Sequence, residues 1–459
     1  MPTLRRETED AGRDLRCFWQ IFICFFLASG IYMSWVYHLA DLVAVPAADA
    51  LTLVAGYLLQ AAGLGLFALA ERKGGVSHAA RAAGAALMML CAVPALRSGY
   101  AAGTLVFGLL ANLMMGWVAG AYLGELVLVS ENRRGAVFGG GYGAAVVVLW
   151  AVSRIGGGML LRTGYALPLY TAAAAIGAFL LRPSGRTPET GRDAAAPEGR
   201  DPAILGALTV FFFSLVKNIG FDFSAGDLLQ GVDLELSRVV YAVGLLTAGL
   251  ISDRSRKYGA VCTLAALITP FIMIALRGEP LSVTVFWALD YFFYGFFSVF
   301  RVLLFVDRAN TAPWTAGFGL LFGRIGDAAG TALNRAFAGE TAPMVLTAAA
   351  LFVVTVFLFF RLYQNADRPD PTRERSEREI FERFSARYAL SPRERAVMRL
   401  VIEERSNAEI AQALYVSERT VKFHVHNILQ KAGCRNRAGL MADYRAQAGE
   451  EISAGDGKR

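Results

Sequence analysis

The sequence predicts an all-α protein: a polytopic transmembrane helical bundle of about 12 spans, six plus six, followed by a small four-helix domain. Three observations predict it. Apolar runs long enough to span a bilayer recur from about residue 17 to 362, broken by short polar or Gly/Pro-rich joints. A polar stretch punctuated by Pro and Gly, 182–202, parts those runs into two equal sets. Beyond Arg361 the composition turns to Arg and Glu, and helix-capping signals follow in order. The 459 residues are 55% apolar with a mean hydropathy of +0.43, whereas soluble chains sit nearer 45–50% apolar, roughly. The average therefore mixes a membrane part with a soluble part.

The N-terminal tail, 1–16, holds acidic residues beside Arg5, Arg6, Arg13 and Arg16. The apolar stretch after it, Phe18 to about Ala40, exceeds a signal-peptide core and reads as a retained first span. The first half, 17–181, carries spans near 18–40, 47–70, 82–97, 100–129, 136–154 and 160–181. After the linker 182–202, the second half, 203–362, carries spans near 203–223, 237–252, 258–276, 281–306, 314–334 and 342–362. Lys and Arg crowd alternate joints: Arg72 and Lys73, Arg133 and Arg134, the 182–202 stretch, then Arg254, Arg256 and Lys257. The opposite joints hold Asp41, Asp49, Asp222, Asp227, Asp233 and Glu235. That bias predicts a multi-pass protein of the bacterial inner membrane, a lipid bilayer around it and both termini in the cytoplasm.

Composition also narrows the chemistry. The five cysteines are scattered without CxxC spacing, which argues against a disulfide framework or a zinc site. Gly139–Gly141 with Gly143 lacks the Lys-Ser/Thr pair that a phosphate loop needs. Four histidines and no nucleophile–base constellation predict no enzyme, no metal and no cofactor. Gly116, Gly120 and Gly124, then Gly319/Gly323 and Gly326/Gly330, repeat at four-residue spacing and predict close helix packing. Ionisable residues inside spans are suspects for a ligand site or for charge pairs: Lys217 with Asp222, Asp290 and Arg301, and Arg324 with Asp327. Arg324 and Asp327 share a helix face and can neutralise one another. Trp287, Tyr291 and Tyr294 lie close enough in sequence to line a pocket beside them.

Gly249-Leu-Ile-Ser-Asp253-Arg254-Ser-Arg256-Lys257, at the end of the eighth span, resembles the GxxxDRxGRR motif of major facilitator superfamily transporters, with Arg256 replacing the late glycine. Glu131-Asn-Arg133-Arg134-Gly135 resembles another joint signature of that family, and Glu71-Arg72-Lys73-Gly74 is a degenerate first-half counterpart. In physical terms, such an Asp can cap a neighbouring helix's N-terminus while Arg anchors to lipid phosphate. The resemblance implies a major-facilitator-like fold.

The segment 363–388 is a charged linker, broken by Pro369 and Pro371, that ends in an amphipathic helix marked by Ile380, Phe381, Phe384 and Tyr388. That helix can pack on the following domain or pair between subunits. From 389 to 448 the signals are orderly. Ser391-Pro392-Arg393-Glu394 is a capping box, Asn407 can cap a second helix to Leu414, Ser417 can cap a third to about Ala432, and Asn436 can start a fourth. A flexible tail, 449–459, follows. At 100° per residue, Val421, Val425, Ile428 and Ala432 of the third helix form a buried stripe. Arg419, Phe423, His426, Asn427 and Gln430 lie opposite, flanked by Lys422 and His424; no acid occurs between Arg419 and Arg437, and Lys431, Arg435 and Arg437 add charge for phosphates. Two short helices joined by a tight turn, the second with a basic outer face, predict binding to double-stranded DNA.

Leu390-Ser-Pro-Arg-Glu394, Ser406-Asn407-Ala-Glu409-Ile410-Ala411, Val416 through Ile428, Lys431-Ala-Gly433 and Asn436-Arg437 resemble the LuxR/GerE helix-turn-helix signature throughout. Arg405 and Ala432 depart from its usual glycine and leucine. The resemblance implies that Lys422, Phe423 and His426 face bases, that Thr420 and Lys431 face phosphates, and that dimers form on DNA around Arg437 to Tyr444. No soluble phosphoacceptor domain, autoinducer-binding domain or Walker A loop is present, so the expected input is an unknown small molecule or membrane state sensed through the spans. A transporter with an appended regulatory domain is the alternative, and a weaker one uses the helix-turn-helix as a protein-binding module.

Overall fold

A computed structural model of the chain describes residues 2–43, 46–155, 166–183, 200–223, 234–275, 280–337, 340–366, 380–402 and 405–444. They belong to two compact units, Met1–Tyr363 and Gln364–Arg459. Regular elements among the described residues are all helical.

The first unit runs α1 Pro2–Val43, α2 Pro46–Gly74, α3 His78–Arg97, α4 Ala101–Leu126, α5 Arg134–Arg154, α6 Leu167–Leu180 and α7 Arg200–Phe223. It continues with α8 Leu234–Arg254, α9 Arg256–Thr263, α10 Ala265–Ala275, α11 Pro280–Val306, α12 Phe318–Ala336 and α13 Thr341–Ala366. Eight of these helices contain a stretch long and apolar enough to cross a membrane. The helices matching the other expected spans are shorter or carry charge, as α12 does with Arg324, Asp327 and Arg335. Two details differ from expectation. The tail before Cys17 is not a separate segment, because α1 is continuous over 42 residues. The ninth span is broken at Leu264, whose N–H bonds to Val261 only three residues back, while the Thr263 hydroxyl donates to the Gly259 carbonyl at 3.1 Å, a back-bond that bends helices.

The glycine stripes work as close-packing surfaces. A Cβ on Gly116 would lie 2.0 Å from the Gln60 carbonyl oxygen, and one on Gly326 would lie 2.3 Å from that of Phe211. Gly139, in the cluster set aside as a phosphate loop, would put a Cβ 2.3 Å from the Leu245 carbonyl oxygen, so it serves the contact of α5 with α8. Gly124, by contrast, meets nothing within 4 Å.

Across that contact the major-facilitator-like motif closes on itself. Asp253, at the end of α8, accepts from the backbone N–H groups of Gly135 and Ala136 at 2.7 Å each, capping α5. Arg256, where the family carries glycine, donates to Asp307 at 2.6 Å and to Asp253 at 3.0 Å. Arg134 joins the same cluster, 3.1 Å from Asp307. The degenerate first-half counterpart is tied differently: buried Arg81 pairs with Glu125 at 2.8 Å and lies 3.6 Å from Glu71.

The second unit holds α14 (380–387), α15 Pro392–Ile402, α16 Asn407–Leu414, α17 Glu418–Ala432 and α18 (437–444). Phe381, Phe384, Val397, Met398, Val401, Ile410, Val421, Ile428 and Leu440 share one core. The amphipathic α14 therefore packs on its own domain. The Phe384 ring lies 5.2 Å from that of Tyr444, and the Tyr388 hydroxyl donates to Asp443 at 2.8 Å.

Asp253→Ala removes both acceptors from the first turn of α5, a loss worth about 1–2 kcal/mol. The full-length protein in detergent should show a lower thermal midpoint, and an unchanged one would mean that α5 is capped by other groups.

Candidate DNA-reading helix and membrane cavity

The helices α15 to α18 each start on a side-chain cap, that of α18 being Asn436, whose side-chain oxygen accepts from the Gly439 N–H at 2.8 Å. The Glu394 carboxylate accepts from the Ser391 backbone N–H at 2.8 Å, and Ser391 Oγ accepts from the Glu394 N–H at 3.4 Å, completing the expected capping box. Ser406, not Asn407, caps α16, with a capping box to Glu409. A serine hydroxyl with Glu three residues on satisfies two orphan N–H groups at once, which Asn407 could not do without that partner. Tyr415 then turns the chain in the left-handed region, φ 54°, and Ser417 caps α17.

On α17, Val421 and Ile428 are fully buried, while Val425 and Ala432 pack partly against the same core. That seating turns the opposite face outward. Arg419, Lys422, Phe423, His426 and Gln430 are exposed, and Thr420, His424 and Asn427 are half-buried. Phe423 is 61% exposed, its ring edge-on to that of His424 at 5.7 Å. Lys422 sits 4.0 Å from Glu418, both well exposed. Such a pair contributes little and can open toward another anion.

Two residues expected to meet phosphates are engaged in holding the fold. Lys431 Nζ donates to Glu394 Oε2 at 2.6 Å and to the Ala389 carbonyl at 3.0 Å. Arg437 donates to the Val401 carbonyl at 3.4 Å and to that of Arg405, closing the end of α15. Sequence spacing could not show this, because the contacts join helix ends more than thirty residues apart, by the separations of 37 and 36.

In the first unit, a cavity of about 260 Å³ is lined by α1, α2, α4 and α5 on one side and α8, α11 and α12 on the other. Of the suspected charges, Arg301 and Arg324 line it. Asp327 is buried behind them, 3.7 Å from Arg301 and 3.1 Å from Arg324. Lys217 and Asp290 are buried but do not line it. Lys217 Nζ lies 3.5 Å from the Tyr294 ring centroid, and Asp290 accepts from the Thr269 hydroxyl at 2.5 Å. The Asp222 side chain lies outside the described residues. Tyr291 lines the cavity, whereas Trp287 and Tyr294 pack behind it. Sequence reasoning missed Gln60, which donates to Asn112 at 2.6 Å. It also missed a chain of hydroxyls, Tyr142, Tyr241 and Ser298, linked at 2.8 Å. Their one advance signal was polarity inside an apolar run.

Acid should act on the second unit through Glu394. Burial works to raise its carboxyl, but the Lys431 ammonium and the Ser391 N–H and hydroxyl outweigh that and hold it below the usual range. Glu409 is also held low, by the backbone N–H and hydroxyl of Ser406. A depressed folded value means stability that is present above the unfolded value, about 4.3, and is lost as pH falls through the folded one. Acid titration of residues 364–459, followed by circular dichroism, should therefore show unfolding below about pH 4. In Glu394→Gln the pH dependence should flatten and stability should fall by about 1–3 kcal/mol at neutral pH.

Comparison with known proteins agrees with both units. Residues 388–442 match the family described as bacterial regulatory proteins, luxR family. The spore germination protein GerE of Bacillus subtilis (strain 168) is 37% identical over 60 residues, 13% of this chain and 81% of that protein. The transcriptional regulatory protein DegU of Brevibacillus brevis is 48% identical over 56 residues, but this chain spans 24% of its length. A crystal structure of the nucleoside transporter NupG, in variant form, superposes with a TM-score of 0.50 at 15% identity, over 76% of this chain and 100% of that one. At that identity the likeness shows the fold, which is major-facilitator-like. With a LuxR-type helix-turn-helix borne on a helical unit of that fold, the chain belongs through its C-terminal domain to the luxR family of bacterial regulatory proteins.

Proposed function

We propose that the protein is a membrane-integrated, one-component transcription regulator. It sits in the bacterial inner membrane with both termini in the cytoplasm, and a small molecule in the membrane unit governs DNA binding by the second unit. One observation carries the reading. The outer face of α17 presents Arg419, Lys422, Phe423 and His426 to solvent on a helix fixed by a fully buried stripe, the arrangement that enters a major groove. Lys422, Phe423 and His426 read base edges, while Arg419, Thr420, His424 and Asn427 flank them against the sugar–phosphate backbone. Lys431 and Arg437 act chiefly by holding α17 and α15 in register, and any phosphate contact they make competes with those internal bonds. Two copies bind one site, meeting around α18.

Full fold-level likeness to a transporter, together with a cavity between the two halves, favours a second reading in which the membrane unit moves its ligand. Substrate flux in proteoliposomes separates the two.

Lys422→Ala and His426→Ala should each weaken binding to a target promoter fragment by about 1–3 kcal/mol, roughly ten- to a hundredfold. The fold should be intact by circular dichroism in both. Unchanged gel-shift affinity in the double variant would sink the reading. So would a promoter output that ignores deletion of 1–362, as regards the sensor part.

A further inference from the structure

We infer that the membrane cavity takes a small aromatic carboxylate, its anionic group met by Arg301 and Arg324. This deepens the sensor reading and rests on it.

The first observation is an unmet cation. Arg301 is 2% exposed, yet its Nε and Nη1 have no hydrogen-bond partner among the described residues. Its carboxylate neighbour, Asp327, stands 3.7 Å from Nη1, near enough for an ion pair and too far for a hydrogen bond. Asp327 turns the same oxygen to Arg324 at 3.1 Å while its Oδ1 meets no hydrogen-bond partner among the described residues, so a single negative charge stands against two guanidinium groups. Buried polar donors are nearly always satisfied, and a charged donor left without an acceptor is the costliest exception. A guanidinium fork is shaped for a planar oxyanion.

A second observation is the seat built for Arg301. A Cβ on Gly319 would lie 1.7 Å from the Arg301 carbonyl oxygen, and one on Gly323 would lie 3.0 Å from its Nη1. The glycines of α12 leave room for this side chain, which lies over the Phe297 and Tyr294 rings at 5.2 and 5.9 Å. A third is the sign of the walls. Arg238, Arg301 and Arg324 line the cavity, and no Asp or Glu is among the lining residues described. The other buried charges are accounted for elsewhere: Lys217 on the Tyr294 ring and Asp290 on Thr269.

The body of the ligand follows from the remaining walls. Phe25, Tyr32, Tyr57, Tyr122, Phe138 and Tyr291 offer rings, and the Tyr142–Tyr241–Ser298 hydroxyls offer hydrogen bonds. Flat apolar faces beside a cationic end suit a ring bearing a carboxylate. An apolar cavity of about 150 Å³ holds benzene, so about 260 Å³ admits a substituted single ring or a fused pair.

The test uses the full-length protein in detergent and measures its thermal midpoint and binding heat with benzoate, salicylate and indole-3-acetate. Benzamide and benzylamine serve as neutral and cationic counterparts of benzoate. The carboxylates should raise the midpoint with concentration, and the two counterparts should not. Arg301→Gln should weaken carboxylate binding by at least about tenfold, with the ligand-free midpoint unchanged or higher because an unmet buried charge is gone. Arg324→Gln should weaken it too. Benzamide or benzylamine binding as tightly as benzoate would overturn the inference. So would no response to any of the three carboxylates at millimolar concentration, or full affinity in Arg301→Gln. The ligand series on the unaltered chain decides the matter if a variant does not fold. Carboxylate binding without any change in promoter occupancy would instead defeat the sensor reading and leave the site standing.

Discussion

A carboxylate at the end of one half holds the first turn of a helix in the other, and the architecture of the membrane unit depends on it. The first N–H groups of any helix have no partner within the helix, and away from water they need one. Asp253 supplies two oxygens to α5 from the end of α8. Both helices can come that close because glycines line the contact, Gly135 against Gly249 and Gly139 against the Leu245 carbonyl. The cap and the glycines are one device: a Cβ at either contact would push the carboxylate out of reach. Arg134 and Arg256 then balance the charges of Asp253 and Asp307. Between the halves joined in this way lies the cavity.

The second unit solves a smaller version of the same problem. Glu394 caps α15 and, through the same oxygen, takes Lys431 from the end of α17. The first helix's N-terminus and the reading helix's C-terminus are thereby tied by one carboxylate. The orientation of the outer face of α17 is set by this tie and by the buried Val421 and Ile428. A reader whose helix rocked on its core would lose the geometry that base-edge contacts demand. Lys431 thus contributes to DNA recognition by positioning, whether or not it reaches a phosphate.

What could be read in advance, and what could not, divides along physical lines. Local chemistry was legible: Ser391 with Glu394, Ser417, and the stripe of Val421 and Ile428 rest on neighbours a turn or two away, and the glycine spacing of α4 and α12 is a four-residue repeat, although Gly124 meets no described neighbour. Asn407 was misread because both it and Ser406 are good caps, and the choice turned on which one reaches Glu409. Arg301, Arg324 and Asp327 drew attention because charge within a span needs a reason, and the same rule flagged Lys217 and Asp290, which do not line the cavity. Tyr142, Tyr241 and Gln60 carried no such flag. A hydroxyl or amide in an apolar run is ordinary until tertiary packing brings several together.

The walls of the cavity also bound how a ligand can act in the proposed sensor. A ligand shifts two arrangements only by the difference in its affinity for them, and reversing a strong bias, from 1:99 to 99:1, takes about 5.5 kcal/mol. Apolar contact with rings on both halves changes gradually as the halves move, so it discriminates weakly. Hydrogen bonds to a buried charge are worth about 1.5–3 kcal/mol each, and Arg301 holds two unmet donors. In the proposed sensor, Arg324 is the group whose contacts would differ between states, because it reaches from α12 to stack 5.3 Å from the Tyr57 ring on α2. An anion that draws Arg324 toward Arg301 weakens that bridge, whereas a neutral occupant of equal size leaves it in place. The lever therefore lies in the charge balance around Asp327 rather than in the volume filled.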